Sequence, residues 1–119
     1  MNKVTLVGRL TKTPEFKTTS NGTGVTQFSI AVNRPYKENG ETQADFINCI
    51  AWRERAQFIC NYLKKGFLIG INGTLQTRTF QDQSGQTRYV TEVLVENVEN
   101  YQPREKEQQD QPYSDDLPF

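Results

Sequence analysis

A chain of 119 residues has room for one modest core, and its 34% hydrophobic share is thin because much of the polar excess gathers at the C-terminus. It contains no histidine, the usual member of acid–base and metal sites, so neither an enzyme, nor a metal, nor another cofactor is expected. Net charge is zero, yet residues 1–100 hold twelve Lys and Arg against nine Asp and Glu, and residues 101–119 hold two against five, so a mildly basic body precedes an acidic tail.

Met1 to Leu10 alternates Val4, Leu6, Gly8 and Leu10 with Lys3, Thr5, Val7 and Arg9, the period of a strand. Thr11 to Gly24, with Pro14, Asn21 and Gly22, reads as a bend and loop, with Phe16 continuing a strand within it. Val25 to Asn33 is a second strand, carrying Phe28, Ile30 and Val32 on one face and Gln27, Ser29 and Asn33 on the other. Arg34 to Gln43, with Pro35, Asn39 and Gly40, is expected to be an exposed loop bearing Tyr36 and Lys37. In the third strand, Asp45 to Trp52, parity sets Phe46, Asn48, Ile50 and Trp52 against Ile47, Cys49 and Ala51.

The period then changes. Ala56, Ile59, Cys60 and Leu63 fall on one face of a helix over Arg53 to Lys65, with Lys64 and Lys65 in the last turn and Gly66 as its left-handed cap. Leu68 to Phe80 is a fourth strand, with Ile69, Ile71 and Leu75 on the core parity and Arg78 and Phe80 on the other. Gln81 to Gln86 supplies turn chemistry, and Thr87 to Val98 returns as a fifth strand. Five strands with one helix between the third and fourth match an all-β OB-fold Greek-key barrel, the alternative being an open α+β sheet. The domain is expected over residues 1–100. Residues 101–119 lack apolar periodicity and are expected to be a disordered acidic tail.

No apolar run approaches the roughly 20 residues of a membrane helix, and the opening residues lack the pattern of a signal peptide. With Cys49 and Cys60 reading as free thiols, a cytoplasmic location is expected. No Walker-type loop is present, and the neighbouring Asp115 and Asp116 lie in a stretch that cannot hold catalytic geometry.

Four aromatics fall on solvent-facing parity or in a polar loop: Tyr36, Phe46, Trp52 and Phe80. Rings spaced along a basic groove suit a single nucleic-acid strand, because every base presents a π-face. Packing under the helix or a partner subunit is the other reading for Phe46 and Trp52. The cations beside these rings, Arg34, Lys37, Arg53 and Arg78, are assigned to phosphate contacts, together with Lys3 and Arg88. An OB-fold interaction subunit and an RNA chaperone are the competing functional readings.

The chain closely resembles the bacterial single-stranded-DNA-binding protein family, including its phage-encoded members. The resemblance is carried by Asn2-Lys-Val-Thr-Leu-Val-Gly8, Tyr62-Leu-Lys-Lys-Gly66, Gly73-Thr-Leu-Gln-Thr-Arg78, Asp82-Gln-Ser-Gly-Gln86, Arg88-Tyr89, Thr91-Glu-Val93 and Asp115-Asp-Leu-Pro-Phe119. It implies a homotetramer of OB folds that wraps single-stranded DNA with little sequence preference in replication, recombination and repair. The family's stacking aromatics fall on Tyr36, Phe46, Trp52 and Phe80. Several relatives have tryptophan at the first, second and fourth of these positions, and some have a tetramer-supporting histidine where this chain has Ile47. The resemblance also implies that Asp115, Asp116, Leu117, Pro118 and Phe119 recruit partner enzymes. Phe119 would enter an apolar pocket while the carboxylates meet a basic rim. The linker before that motif is shorter than in many relatives.

Overall fold

The computed structural model describes residues 1–102. Its elements are β1 (Val4–Leu10), β2 (Lys17–Thr18), β3 (Gly24–Glu38), β4 (Glu41–Trp52), α1 (Arg53–Tyr62), β5 (Leu68–Gln81) and β6 (Thr87–Asn100). Hydrogen bonding orders the strands β1-β5-β6-β4-β3, with the two-residue β2 on the far edge of β3. β1 pairs with β5 from Val4 to Arg9 and then crosses to β3 through Arg9↔Ala31 and Leu10↔Ile30. That crossing closes a five-stranded OB-fold barrel, with α1 between its third and fourth strands. The neighbours are antiparallel except β4 and β6, which run parallel through Cys49↔Val93 and Ile50↔Leu94.

Closure follows from which side chains can share one interior. Phe28, Ile30, Cys49, Ala51, Ile69, Ile71, Val93 and Val95 point inward from four strands, and α1 adds Ala56 and Ile59, with Leu63 just beyond. Ile30, Ala51, Ala56, Ile59 and Ile69 are fully sequestered. The helix therefore stoppers the barrel, and its apolar stripe is stabilised by that packing. Burial pushes the Cys49 thiol up to about 12, with the Glu92 carboxylate adding to the effect.

Three expectations are corrected by the structure. Residues 34–43 form a hairpin: β3 runs on to Glu38, β4 begins at Glu41, and Asn39 and Gly40 turn the chain with φ of 53° and 80°. Two positive φ values match the type I′ turn that Asn-Gly favours. Pro35 is accommodated where the β3–β4 register shifts between Asn33 and Lys37. The helix ends at Tyr62, because Leu63 is already extended while its side chain is buried in the core. Lys64 and Lys65 consequently lie outside the helix, and Gly66 joins a turn in which its N–H donates to Leu10 O at 2.8 Å, tying the chain back to β1.

Leu75 is the third. It shares parity with Ile71 but is 47% exposed, because β1 accompanies β5 only as far as Gly73. β6 keeps its β4 neighbour as far as Val93, opposite Leu75, and from Gln76↔Glu92 to Gln81↔Thr87 the two strands continue as a two-stranded arm beyond the barrel. At its root, the Asn2 side chain donates to Leu75 O and accepts from Leu75 N–H, both at 2.8 Å, standing in for a strand residue.

Just inside the root, Asn72 pairs with Asn97 but Gly73 pairs with Val95, so Glu96 is an extra residue in β6. At this bulge the two backbones approach so closely that a Cβ on Gly73 would collide with Leu94 O. Gly73→Ala is therefore expected to cost about 1–3 kcal/mol of stability. Thr26→Val should do the reverse. The Thr26 hydroxyl is buried with no partner among the described residues, and an isosteric methyl removes an unmet hydrogen bond, gaining about 1 kcal/mol. Urea unfolding of both variants measures each shift, and an unmoved midpoint for Gly73→Ala would mean that the bulge relaxes freely.

Candidate nucleic-acid interface

Strand alternation divides β3 and β4 into two faces. The pairs Phe28↔Cys49 and Ile30↔Ile47 face the core, so Ala31↔Phe46, Ser29↔Asn48, Gln27↔Ile50 and Val25↔Trp52 lie on the opposite face, where Ile50 is itself covered. Gln27, Ser29 and Asn48 form the polar floor of a cleft of about 470 Å³, bounded by Thr11 to Glu15 on one side and by Arg78, Val90 and Glu92 on the other. The cleft crosses the barrel between the β1–β2 connection and the arm.

Each of the four aromatics singled out above is solvent-accessible: Phe46 is 70% exposed, Tyr36 57%, Phe80 45% and Trp52 37%. Phe46 and Trp52 share the outer face of β4. Phe80 is on the arm, directly across from Arg88. Tyr36 and Lys37 are carried by the β3–β4 hairpin rather than a loop. Lys3 lies just ahead of β1, next to the Asn2 clip. Arg53 follows Trp52 with φ of 59°, a left-handed conformation uncommon for a side-chain-bearing residue, where strand turns into helix.

Three of the assigned cations already hold carboxylates. Arg34 grips Asp45 through Nε at 3.1 Å and Nη2 at 2.8 Å, and the pair raises the Arg34 pKa and lowers that of Asp45. Asp45 points to the opposite face of β4 from its neighbour Phe46, so Arg34 is held away from that ring. Arg78 donates from Nε to Glu92 Oε2 at 2.9 Å, and Gln76 adds a bond of 3.1 Å to the same oxygen. Glu92 is only 3% exposed, and a carboxylate so placed must be paired. Arg88 donates from Nε to Asp82 Oδ2 at 2.8 Å. Arg78 and Arg88 keep both terminal nitrogens unused among the described residues, whereas Arg34 is engaged in two-point fashion.

The partners Asp45, Glu92 and Asp82 were absent from the sequence-based site. Only Asp82 had a readable signal, since Asp-x-Ser before glycine is an Asx-turn pattern. Its Oδ1 accepts from the Ser84 N–H, the Ser84 hydroxyl and the Gln86 N–H at 2.9, 2.7 and 3.0 Å. Asp115, Asp116, Leu117, Pro118 and Phe119 lie outside the described residues.

Comparison with known proteins places these features in a family context. The profile described as "Single-strand binding protein family" matches residues 1–101. The chain is 53% identical over 105 residues to the single-stranded DNA-binding protein of Bacillus cereus, covering 87% of this chain and 62% of the relative. It is 50% identical over 105 residues to single-stranded DNA-binding protein A of Bacillus subtilis, covering 87% of this chain and 61% of that protein. Single-stranded DNA-binding protein 3 of Streptococcus agalactiae is 47% identical over 110 residues, covering 92% of this chain and 80% of its own. The chain thus spans less than two thirds of the length of the two Bacillus relatives.

The turn at the arm's tip titrates predictably. The Ser84 hydroxyl, then Arg88 and the Gln86 and Ser84 N–H groups, hold the Asp82 carboxyl down to about 2. A lowered carboxyl pKa contributes stability that is complete above the ordinary carboxylate range and is lost as pH falls through about 2. The Ser84 and Gln86 amide resonances should therefore stay at their neutral-pH positions at pH 4 and move only as pH approaches 2. A midpoint near 4 would contradict the hydrogen-bonded turn.

Proposed function

The chain belongs to the single-strand binding protein family, and from that premise we propose that it binds single-stranded DNA without reading sequence. The observation that carries the reading is the set of exposed rings on the outer face of β4 and on the arm, beside a polar cleft and arginines whose terminal nitrogens are unused. Bases stack on Tyr36, Phe46, Trp52 and Phe80, each worth about 1–3 kcal/mol. Lys3, Lys37, Arg53, Arg78 and Arg88 meet phosphates, and Arg34 joins them by exchanging Asp45 for a phosphate. No catalytic step is involved.

On this reading residues 1–100 are the binding domain and residues 101–119 a linker and partner-recruiting segment. The protein works in the cytoplasm as a homotetramer that coats exposed strands during replication, recombination and repair. The motif Asp115-Asp-Leu-Pro-Phe119 recruits the enzymes of those processes, a role supported by its resemblance to the family's partner-binding motif. Pull-down of host proteins should be lost on deleting Leu117 to Phe119 while DNA affinity is retained, and unchanged pull-down would remove the recruiting role.

Titration with oligo(dT), followed by Trp52 emission at low and high salt, tests the binding reading. Stacking quenches the indole, and log K falls against log salt by about 0.7 per neutralised phosphate. Asp45→Asn should tighten binding and steepen that slope by about 0.7, because it frees Arg34 for a phosphate. Absence of both quenching and binding at low salt would overturn the proposal in favour of an interaction subunit. An unchanged slope in Asp45→Asn would remove Arg34 alone from the contact set.

A further inference from the structure

Helix α1 has a second face that the core does not use. Ala56, Ile59 and Leu63 point into the barrel, whereas Trp52, Arg55, Phe58 and Tyr62 recur at spacings of three, three and four, along one outward stripe. Phe58 is 39% exposed and Tyr62 61%, and their rings lie with centroids 5.1 Å apart at 42°. Neither ring belongs to the core cluster that the helix closes.

Beside them a cleft of about 320 Å³ is lined by Trp52, Glu54, Arg55, Phe58, Asn97 and Val98, near the small end of the range of ligand sites. Trp52 belongs to both this cleft and the stacking face of β4, so a strand lying on Trp52 already reaches its mouth. The polar groups then decide what enters. Asn97, carried on β6 next to the bulge, offers an amide donor and acceptor suited to a base edge. Glu54 repels a phosphate but accepts from a base N–H, the ring N–H of thymine included, and Arg55 supplies the cation for a phosphate kept outside.

We propose that the cleft between Trp52 and Phe58 takes one nucleobase of the bound strand, with Tyr62 stacking the next, so that the binding track continues from β4 along α1. From Arg53 to Tyr62 the helix rises about 14 Å. The proposal rests on the single-strand reading above.

Anisotropy of 5′-labelled oligo(dT), titrated with the full chain, avoids relying on Trp52 emission next to an altered ring. Phe58→Ala should weaken binding about 5- to 150-fold, the loss of one stacked base. Phe58→Trp should restore it, and Tyr62→Ala should produce a further loss. The restoring variant separates stacking from any defect of folding, because a merely structural role for Phe58 is not rescued by a larger ring. Wild-type binding with unchanged affinity in Phe58→Ala and Tyr62→Ala overturns this inference alone. Weakening in Phe58→Ala that Phe58→Trp fails to restore also overturns it. A wild-type chain that does not bind overturns the parent reading, and this one with it.

Discussion

The register between β3 and β4 is the constraint on which the rest depends. Phe28, Ile30, Ile47, Cys49 and Ala51 must all face inward for the barrel to close around Ile59. A slip of β4 by one residue against β3 would turn Ile47, Cys49 and Ala51 outward together. The same alternation puts Phe46 and Trp52 outside, at a fixed spacing, with Ser29 and Asn48 between. The core therefore positions the rings without touching them. Long hairpins extend this frame beyond the barrel, carrying Tyr36 on one side and Phe80 on the other.

Electrostatics add a second layer of positioning. Asp45, Glu92 and Asp82 occupy Arg34, Arg78 and Arg88, which orders three flexible side chains in advance. An arginine already fixed loses less entropy when an anion arrives. The three pairs differ in how they can respond. Glu92 is too deeply buried to be left alone, so Arg78 has to keep it while offering its outer nitrogens. Asp45 and Asp82 lie nearer water, where Arg34 and Arg88 can trade one anion for another at small cost.

Much of this was legible in the sequence because strand parity and helical period are local signals. They placed five strands, the helix and the outward direction of Phe46, Trp52 and Phe80. What sequence reading missed has nonlocal causes. Residues 34–43 look like a loop because Pro35 and Gly40 punctuate them, yet Asn39-Gly40 matches a two-residue hairpin turn once the flanking strands are long enough to pair. The helix stops at Tyr62 because Leu63 is needed in the core and Gly66 must meet Leu10, neither visible from a 3.6-residue period. Leu75 has core parity but lies past the end of its β1 neighbour and is left half-exposed. The partners of Arg34 and Arg78 are distant or cross-strand carboxylates that spacing alone could not assign, and the outward rings of Phe58 and Tyr62 were passed over in favour of the helix's apolar face.

The Asn2 clip marks where the arm parts from β1. β5 loses its β1 neighbour after Gly73, and among the described residues the further hydrogen-bonded support on that edge is the Asn2 side chain, bonded to both polar groups of Leu75. Beyond Leu75↔Val93, where β6 leaves β4, the ribbon is held by its own β5–β6 ladder. From Leu75 to Phe80 it extends roughly 17 Å, and a swing of about 5° carries the ring by roughly 1.5 Å over that length. That is nearly half the roughly 3.4 Å rise between stacked bases. On the single-strand reading proposed above, a displacement of that size would let Phe80 follow bases of uneven spacing while Phe46 and Trp52 stay with the barrel, so that one sheet would combine a rigid platform with a compliant finger.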